Sequence, residues 1–555
     1  MKEVYREASR KLVLGVHPNI LYRKYRRALL AVTIAVASTA AALAVCLLLG
    51  EPVDLILSAL LAVVWGLAFF AVAYALAPVL KLKAYESALQ EEAVWGIFAG
   101  TVYALAGVPP LKILDFLEAK THVFPHLSHE IKRIKRDSRL KMESFLDVLR
   151  REYRSAKGFW RMLLGTIITL ETTGGDLSAY FRDLYKSCIR ELKTRYENQA
   201  KVMNSLSSAT TVFLAVLPMS VYVMLVVVAS KAVVPAVTMF TLINIATGVA
   251  VAALADFFAP KTGDLFTKIY GKVLLKYLPL GACVGASCYL GLLNLPLSLK
   301  FPGLISLTLG TLAFTAPAYL EYRKHAKAVD ETVENLPVFL RDIADEVKRG
   351  YSPIQALSTV HESKSYGKYF DRLLRLLVNK IRLQGVREAL LSLEPYLPKQ
   401  VFFSLDLLAD ADEIGARAEV FDVLADIMHD WVSSMRAYKA SVKLSKYTSL
   451  FAVACAAGIT VFLFGSVVGM VAKAGDIVRG TASTYAPVAV DIVTSDQVPV
   501  LKNTIFTALA VTAVVLGVVE GKVSSFRFGE GLRETVIMVS TVLFSVVLGT
   551  LLGLI

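Results

Sequence analysis

The groups of residues that could carry out chemistry in this sequence all miss the spacing that their chemistry requires. Two segments, GDLFTKIYGKV (263–273) and GVVEGKVSS (517–525), combine glycine with lysine, as phosphate-binding loops do. Neither keeps the Gly-x4-Gly-Lys-Ser/Thr spacing. His361-Glu362 begins a zinc-protease pattern, but Ser365 stands where the second histidine is needed. The sequence therefore predicts no catalytic residue, no cofactor and no enzyme activity.

Three histidines have the spacing that would align them on one helix. They are His122, His126 and His129. Pro125 interrupts that helix, and no acid or cysteine completes a set of metal ligands. We therefore predict no metal site.

The composition indicates a membrane protein, because 55% of the 555 residues are hydrophobic and only 19% are charged. Runs of about 20 apolar residues are long enough to cross a bilayer as helices. Nine such runs lie at 28–50, 53–80, 206–230, 232–258, 274–297, 302–320, 448–472, 499–519 and 534–555. The prediction is an all-α, multi-pass protein of the cell membrane.

The distribution of lysine and arginine predicts its orientation. The short segments 1–27, 259–276 and 520–533 are much richer in these residues than the short segments that alternate with them. Basic flanks stay in the cytoplasm, so the N-terminus is predicted to be cytoplasmic and the C-terminus extracytoplasmic. The net charge of +14 then reflects this signature and attraction to anionic headgroups, and no nucleic-acid partner is predicted.

Two sequence elements occur twice. ETTGGDLSAYFRDL (171–184) aligns with ADEIGARAEVFDVL (411–424) at an offset of 240 residues, and LAGVPPLKIL (105–114) aligns with KRGYSPIQAL (348–357) at an offset of 243. In the first pair, Gly175 and Gly415 break helical periodicity and Asp176 can cap the helix that follows. In the second pair, glycine ends one helix and proline begins the next, with Ser352 positioned as an N-cap. The sequence thus predicts a duplicated helical unit.

The predicted domains alternate between membrane and cytoplasm. They are a basic cytoplasmic segment (1–27), transmembrane helices 1–2 (28–80), a first cytoplasmic helical domain (81–205), helices 3–6 (206–320), a second cytoplasmic domain (321–446) and helices 7–9 (447–555). Apolar residues at helical spacing, such as Leu140 and Leu149 in the first domain and Phe339 and Ile343 in the second, predict bundles of five or six short helices. Each domain is expected to end in a helix that continues into the membrane.

This arrangement resembles the F-protein family of type II secretion, which includes the inner-membrane platform proteins of type IV pili and the archaellum. Gly175, Asp176 and Leu177 resemble the end of the family's Gly-Glu-x-x-Gly-x-Leu element, and the second copy keeps the acidic pair Asp412-Glu413 before its glycine. The resemblance covers both cytoplasmic domains and the helix after each. Nine membrane helices with a cytoplasmic N-terminus look like the archaeal branch.

The resemblance implies a non-enzymatic platform that receives work from a cytoplasmic secretion ATPase and guides pilin-like or archaellin-like subunits into a filament. A homodimer is a further partner that it allows. The filament could be a pilus, an archaellum or a secretion pseudopilus. The alternative is a polytopic transporter, although the membrane-embedded candidates Asp256, Lys276 and Glu520 lie near the predicted cytoplasmic ends of their helices, unlike ion-path residues.

Charge marks two candidate partner-binding surfaces, for the ATPase or for self-contact. Residues 132–161 hold eleven basic side chains, whereas 406–430 is acidic. The predicted contact residues are Lys132, Arg133, Arg136, Arg150, Arg151, Asp412, Glu413, Asp422 and Asp426. The alternative is that each run is a solvated helix face near anionic lipid.

Overall fold

The computed structural model describes residues 30, 55–218, 220–221, 233–258, 267–291, 301–463, 498–525 and 527–553. Helices form nearly all of this part of the chain, and no strand occurs within it, in agreement with the predicted all-α fold. The chain divides into two compact units. The first comprises Met1–Gly100 and Val108–Leu184, and the second comprises Thr101–Gly107 and Tyr185–Ile555.

The described part of the chain begins with five helices, followed by a long sixth. They are α1 (Leu55–Leu105), α2 (Pro110–Ala119), α3 (Pro125–Lys141), α4 (Phe145–Ser155), α5 (Gly158–Thr173) and α6 (Leu177–Thr211), after which Val212–Val216 forms a π-helical turn. Apolar side chains of α1, α2 and α5 form the core of the first unit, among them Ile97, Ile113, Leu117 and Leu163.

Glycine and proline set the helix boundaries here. Gly107 has a φ of +83°, and Pro110 begins α2, where its missing N–H costs nothing. Glu92 of α1 caps the start of α3, because its Oε2 accepts hydrogen bonds from the backbone N–H groups of His126 and Leu127 at 2.8 and 2.7 Å. This carboxylate satisfies donors that a helix start leaves unpaired.

The second unit contains the remaining helices. They are α7 (Val233–Phe258), α8 (Thr267–Tyr289), α9 (Pro302–Lys348), α10 (Pro353–Ser363), α11 (Lys368–Gln384), α12 (Val386–Leu393), α13 (Lys399–Ile414), α14 (Ala418–Leu463), α15 (Val498–Ser525) and α16 (Phe528–Leu551), with a 3₁₀ turn at Glu394–Tyr396. Gly350 has a φ of +100°, and Ser352 and Gln355 form a capping box around Pro353 at the start of α10. The predicted helix-turn-helix with a Ser352 cap is therefore confirmed.

Within the described residues, five helices are long and apolar enough to cross a membrane. They are Val237–Phe257, Pro302–Lys348, Ala418–Leu463, Val498–Ser525 and Phe528–Leu551. These overlap the predicted runs at 232–258, 302–320, 448–472, 499–519 and 534–555. The predicted run at 28–50 lies outside the described residues apart from Leu30, and the total of nine spans stays a prediction.

Small residues let these helices approach closely. A Cβ added at Gly281 of α8 would lie 2.7 Å from the carbonyl oxygen of Gly310 in α9, and one added at Gly517 of α15 would lie 2.6 Å from the Cα of Thr535 in α16. Such contacts stabilise helix pairs where lipid provides no hydrophobic driving force. An apolar cluster contributed by α7, α9, α14, α15 and α16 lies between the helices.

Candidate functional site

The first glycine element is a sharp break between α5 and α6. Gly174 and Gly175 have φ values of +70° and +122°, which favour glycine over any residue with a Cβ. Asp176 then caps α6, because its Oδ1 accepts the backbone N–H groups of Ser178 and Ala179 at 2.9 and 3.3 Å. The predicted helix break and cap at these residues are confirmed as structural features.

The second glycine element ends α13 in a different way. Gly415 is left-handed, with a φ of +73°, and its N–H donates to the carbonyl of Asp412 at 3.0 Å. The N–H of Ala416 reaches the carbonyl of Ala411 at 2.8 Å. This is the Schellman arrangement, which pairs the carbonyls left open at a helix end. The two elements therefore share the break but differ in local geometry.

Long helices follow both glycine elements. α14 runs without interruption from Ala418 to Leu463, across the predicted boundary between cytoplasmic domain and membrane at 446/447. α6 extends from Leu177 to Thr211 and continues through the π-helical turn at Val212–Val216. The expectation that each domain ends in a continuing helix is confirmed over these ranges, which we call the trailing helices.

The trailing helices contact each other within the second unit. The contacts are Tyr185 with Asp430, Tyr196 with Tyr438, Asn204 with Ser441, and Ser207 and Thr211 with Ser449. In every contact the residue of α14 lies 237 to 245 positions after the residue of α6, so the two helices are parallel. The glycine elements are 240 positions apart, so each trailing helix contacts the matching part of the other.

The helices that come next, α7 and α15, are also parallel. Asn244 Nδ2 donates to Thr512 Oγ1 at 3.3 Å, and Asp256 and Lys522 form an ion pair at 2.7 Å. Between them a Cβ added at Gly248 would overlap Val515. These contacts have offsets of 266 to 268 positions. Sequence reasoning missed both helix pairs, because the contacts join residues far apart in the chain.

The predicted basic surface divides into exposed and buried members. Lys132, Arg136, Arg150 and Arg151 are exposed. Arg133 is only 5% exposed, and its guanidinium lies 2.7 Å from Glu130 and 2.8 Å from Glu152. Burial lowers the pKa of Arg133, but the two carboxylates raise it more, so its net shift is upward.

Arg133 must therefore be removed from the predicted contact surface. It joins α3 to α4 through a buried ion triad and presents no charge to a partner. Of the exposed members, Arg150 lies 3.3 Å from Asp147 and Arg151 lies 2.6 Å from Glu143. Exposed pairs of this kind contribute about 0–1 kcal/mol, so these side chains can exchange partners at little cost.

The acidic run is paired largely within the second unit. Asp422 lies 2.8 Å from Lys348, Asp426 contacts Arg341, and Glu413 lies 2.8 Å from Arg387. Partial burial raises the pKa of Asp412, and the neighbouring Glu413 raises it further. Three of the four predicted acidic contact residues are thus ion-paired with basic residues of α9 and α12.

The three histidines have structural partners. His126 Nδ1 lies 2.6 Å from Glu92, and His129 Nδ1 lies 3.1 Å from the hydroxyl of Tyr85. Across the part of the chain that the structure describes, no group of three or more His, Cys, Asp or Glu side chains could hold a metal ion.

Comparison with known proteins assigns part of the chain to a family. Residues 101–225 match the family model described as "Type II secretion system (T2SS), protein F". This segment contains α2 to α6, including Gly175 and Asp176. No curated protein and no solved structure gives a match.

The chain therefore carries a domain of the type II secretion system protein F family, as its sequence pattern predicts. Proteins of this family are membrane platforms of secretion and pilus-type assembly systems. The apolar helices and this domain together indicate a membrane protein that contains a domain of this family.

Proposed function

We propose that this protein is the inner-membrane platform for assembly of a type IV pilus-like filament, of the archaeal pilus, archaellum or type II secretion-like kind. It couples a cytoplasmic secretion ATPase to the insertion of pilin-like subunits. The family match at 101–225 supports the platform role. The observation that carries the coupling mechanism is the parallel pair of trailing helices.

The order of helices supports a duplication of the family domain. α3 and α11 both have 17 residues, and α5 and α13 both have 16. Glu331 of α9 accepts the N–H of Tyr369 at 2.8 Å at the start of α11, much as Glu92 of α1 does at the start of α3. Buried residues also correspond: Ile113 with Ala356, Leu114 with Leu357, Leu117 with Val360, Phe181 with Phe421, and Leu184 with Leu424.

The contacts of the trailing helices support an internal pseudo-dimer. In a two-fold symmetric dimer, a residue on the axis contacts its own copy in the partner. The contacts of α6 with α14 obey this rule across one chain, since residue i meets a residue near i + 240. α7 and α15 support it independently. The duplication thus provides two matching trailing helices between cytoplasm and bilayer in a single polypeptide.

In this proposal, force is transmitted to the trailing helices at the glycine elements. A break at Gly175 or Gly415 allows a bundle to change its angle to the trailing helix, while that helix stays intact. The Asp176 cap and the Schellman end at Gly415 keep backbone groups paired at each break. The two elements therefore separate a bundle that receives work from a helix that delivers it.

The surface that meets the ATPase is the exposed basic set Lys132, Arg136, Arg150 and Arg151. Among the described residues, Lys132 and Arg136 have no ion pair, whereas Glu413, Asp422 and Asp426 are each paired within their own unit, so the basic set has more unpaired charge to offer a partner. Electrostatic contacts of this kind steer association and set specificity. The ATPase is expected to present a complementary acidic face.

Affinity purification of the full-length protein from native membranes tests this function. The wild-type chain should co-elute with a secretion ATPase and pilin-like subunits. The triple variant Lys132→Glu, Arg136→Glu and Arg150→Glu should lose ATPase capture by at least about tenfold, because three repulsive charges replace attractive ones.

The matched control is the triple variant Lys186→Glu, Lys193→Glu and Lys201→Glu, which makes the same change of charge at exposed positions of α6. It should capture ATPase normally. Equal capture by both variants would contradict the assigned surface. Substrate-dependent ion flux in liposomes from the isolated chain, with no ATPase captured, would favour the transporter.

A further inference from the structure

A buried carboxylate lies against both trailing helices in the second unit, near the predicted cytoplasmic end of the membrane-spanning run of α15. Glu520 of α15 has 0% exposure. Its Oε2 accepts hydrogen bonds from Ser207 Oγ at 2.8 Å and from Ser449 Oγ at 3.1 Å, and its Oε1 accepts one from Ser445 Oγ at 3.1 Å. Ser207 belongs to α6, whereas Ser445 and Ser449 belong to α14, so one side chain is hydrogen-bonded to both helices.

We propose that Glu520 is a positioning residue that fixes the register of the two trailing helices. The inference rests on the proposed function only in giving that register a role in force transmission. The geometry of the pair itself comes from contacts within the chain. Glu520, Ser207, Ser445, Ser449 and Thr211 are called the carboxylate–hydroxyl cluster below.

The hydroxyls of the cluster also lie close to one another across the helix pair. Thr211 Oγ1 lies 2.8 Å from Ser449 Oγ, and Ser207 Oγ lies 3.4 Å from the same atom. Ser207 and Ser449 are matching positions, separated by 242 residues. The carboxylate therefore lies where the two helices present equivalent side chains, close to the axis that would relate them.

Burial makes these hydrogen bonds sensitive to the register of the two helices. Apolar residues such as Leu214 of the π-helical turn, Val453 of α14 and Leu516 of α15 are buried about one helical turn from members of the cluster. A hydroxyl or carboxylate that loses its partner in such buried surroundings has no water to replace it. A slip of α14 by one helical turn, about 5.4 Å, that moves Val453 to the place of Ser449 would replace a hydroxyl partner of Glu520 and Thr211 by an apolar side chain. The opposite slip would bring Ser441 and Ser445 to the places of Ser445 and Ser449, so the cluster acts against the first slip.

The basic residue that follows Ser445 on α14 already has another partner. Lys446 Nζ lies 2.5 Å from Glu534 of α16, which is buried as well. Glu520 is thus hydrogen-bonded to hydroxyls of the two trailing helices and does not form an ion pair with Lys446. This is why we assign it to alignment of α6 with α14, and assign Glu534 to attachment of α16 to α14.

Disulfide trapping in the full-length, membrane-embedded protein tests the proposal. The pair Asn204→Cys with Ser441→Cys reports the native register, because Asn204 contacts the backbone of residue 441 at 3.2 Å. The pair Ala200→Cys with Ser441→Cys reports the slip of one turn that moves Val453 to the place of Ser449. Oxidised product is quantified by mass spectrometry, so the native cysteines can be kept and distinguished.

With Glu520 present, the native-register pair should dominate. Glu520→Ala should lower its yield at least about threefold and raise the slipped pair, because the acceptor common to both helices is lost. Glu520→Gln keeps the volume and one acceptor oxygen, so it should give an intermediate yield. It also provides a folded variant should the alanine variant fail to insert.

Two controls separate alignment from general loss of stability. Leu516→Ala removes a fully buried side chain one turn earlier on α15 and should lower the melting temperature without raising the slipped pair. Asp256→Asn removes a half-exposed carboxylate that pairs with α15 and should leave the register unchanged.

Unchanged yields of both cysteine pairs in a folded Glu520→Gln or Glu520→Ala protein would overturn the proposal. A slipped pair raised equally by Leu516→Ala would also overturn it, since register would then follow packing alone. Neither readout requires an ATPase or a filament. The proposal can therefore fail while the proposed function stands, and the reverse also holds.

Discussion

At the residue scale, the basic side chains of α3 and α4 have two different roles. Arg133 lies inside the first unit between Glu130 and Glu152, whereas Arg136, one helical turn away, is exposed. A buried guanidinium with two carboxylates contributes to folding, because removal of one partner leaves uncompensated charge. An exposed guanidinium is available to a partner protein.

Substitution of Arg133 should therefore affect stability, whereas substitution of Arg136 should affect ATPase capture. Arg133→Ala should lower the free energy of unfolding by about 3–5 kcal/mol, because Glu130 and Glu152 then remain buried and close together. Arg136→Ala should change it by less than about 0.5 kcal/mol and weaken ATPase capture instead. Thermal unfolding of the purified protein in detergent measures the first effect. A similar loss of stability in both variants would contradict the assignment.

Two residues of the same helix show where sequence reasoning reached its limit. Leu140 was expected to face the core, but it is 75% exposed, and Arg133 was expected to be exposed, but it is buried. Helical periodicity predicts which face of α3 is buried, but it does not predict the burial of each single residue on that helix. The carboxylates that draw Arg133 inward are Glu130 and Glu152, and the second of these lies on a different helix, α4.

At the scale of single helices, the two copies end their third helix with different residues. α3 ends at Met142, which has a φ of +51° and is 96% exposed. α11 ends at the matching position, Gly385, with a φ of +87°. A residue with a Cβ is strained in this left-handed conformation, whereas glycine is not. Met142 is thus a strained, solvent-facing residue.

Met142→Gly should stabilise the protein by about 0.5–1 kcal/mol, because it relieves this strain and removes no buried surface. Leu140→Gly is the matched control: it changes an exposed residue inside the last turn of α3 and should destabilise by about 0.5–1 kcal/mol. The melting temperatures of both variants, compared with that of the wild-type protein, test this prediction. Destabilisation by Met142→Gly would mean that Met142 makes a stabilising contact.

Helix boundaries were the most predictable part of the fold. Gly107, Gly350 and Gly415 have the positive φ values that the sequence pattern indicates, and Ser352 forms the predicted cap. These features depend on neighbouring residues alone. The pairing of α6 with α14 and the hydroxyl partners of Glu520 depend on residues more than 70 positions away, and no local pattern reports them.

For the whole molecule, we propose that the chain contains two copies of one helical unit. Each proposed copy has a helical bundle, a glycine break and a trailing helix, and the trailing helices are parallel and in register. Composition predicted the membrane helices, five of which are present in the described residues. The repeat in sequence predicted matching bundles but gave no information about which matching parts touch.

Both helical bundles are proposed to lie on the cytoplasmic side of the membrane, where one ATPase can act on them. Single cysteines at exposed positions, Arg150→Cys in the first bundle and Arg372→Cys in the second, allow a direct test with a membrane-impermeant maleimide. Both should be protected in intact cells and labelled after permeabilisation. Labelling of either position in intact cells would contradict the account.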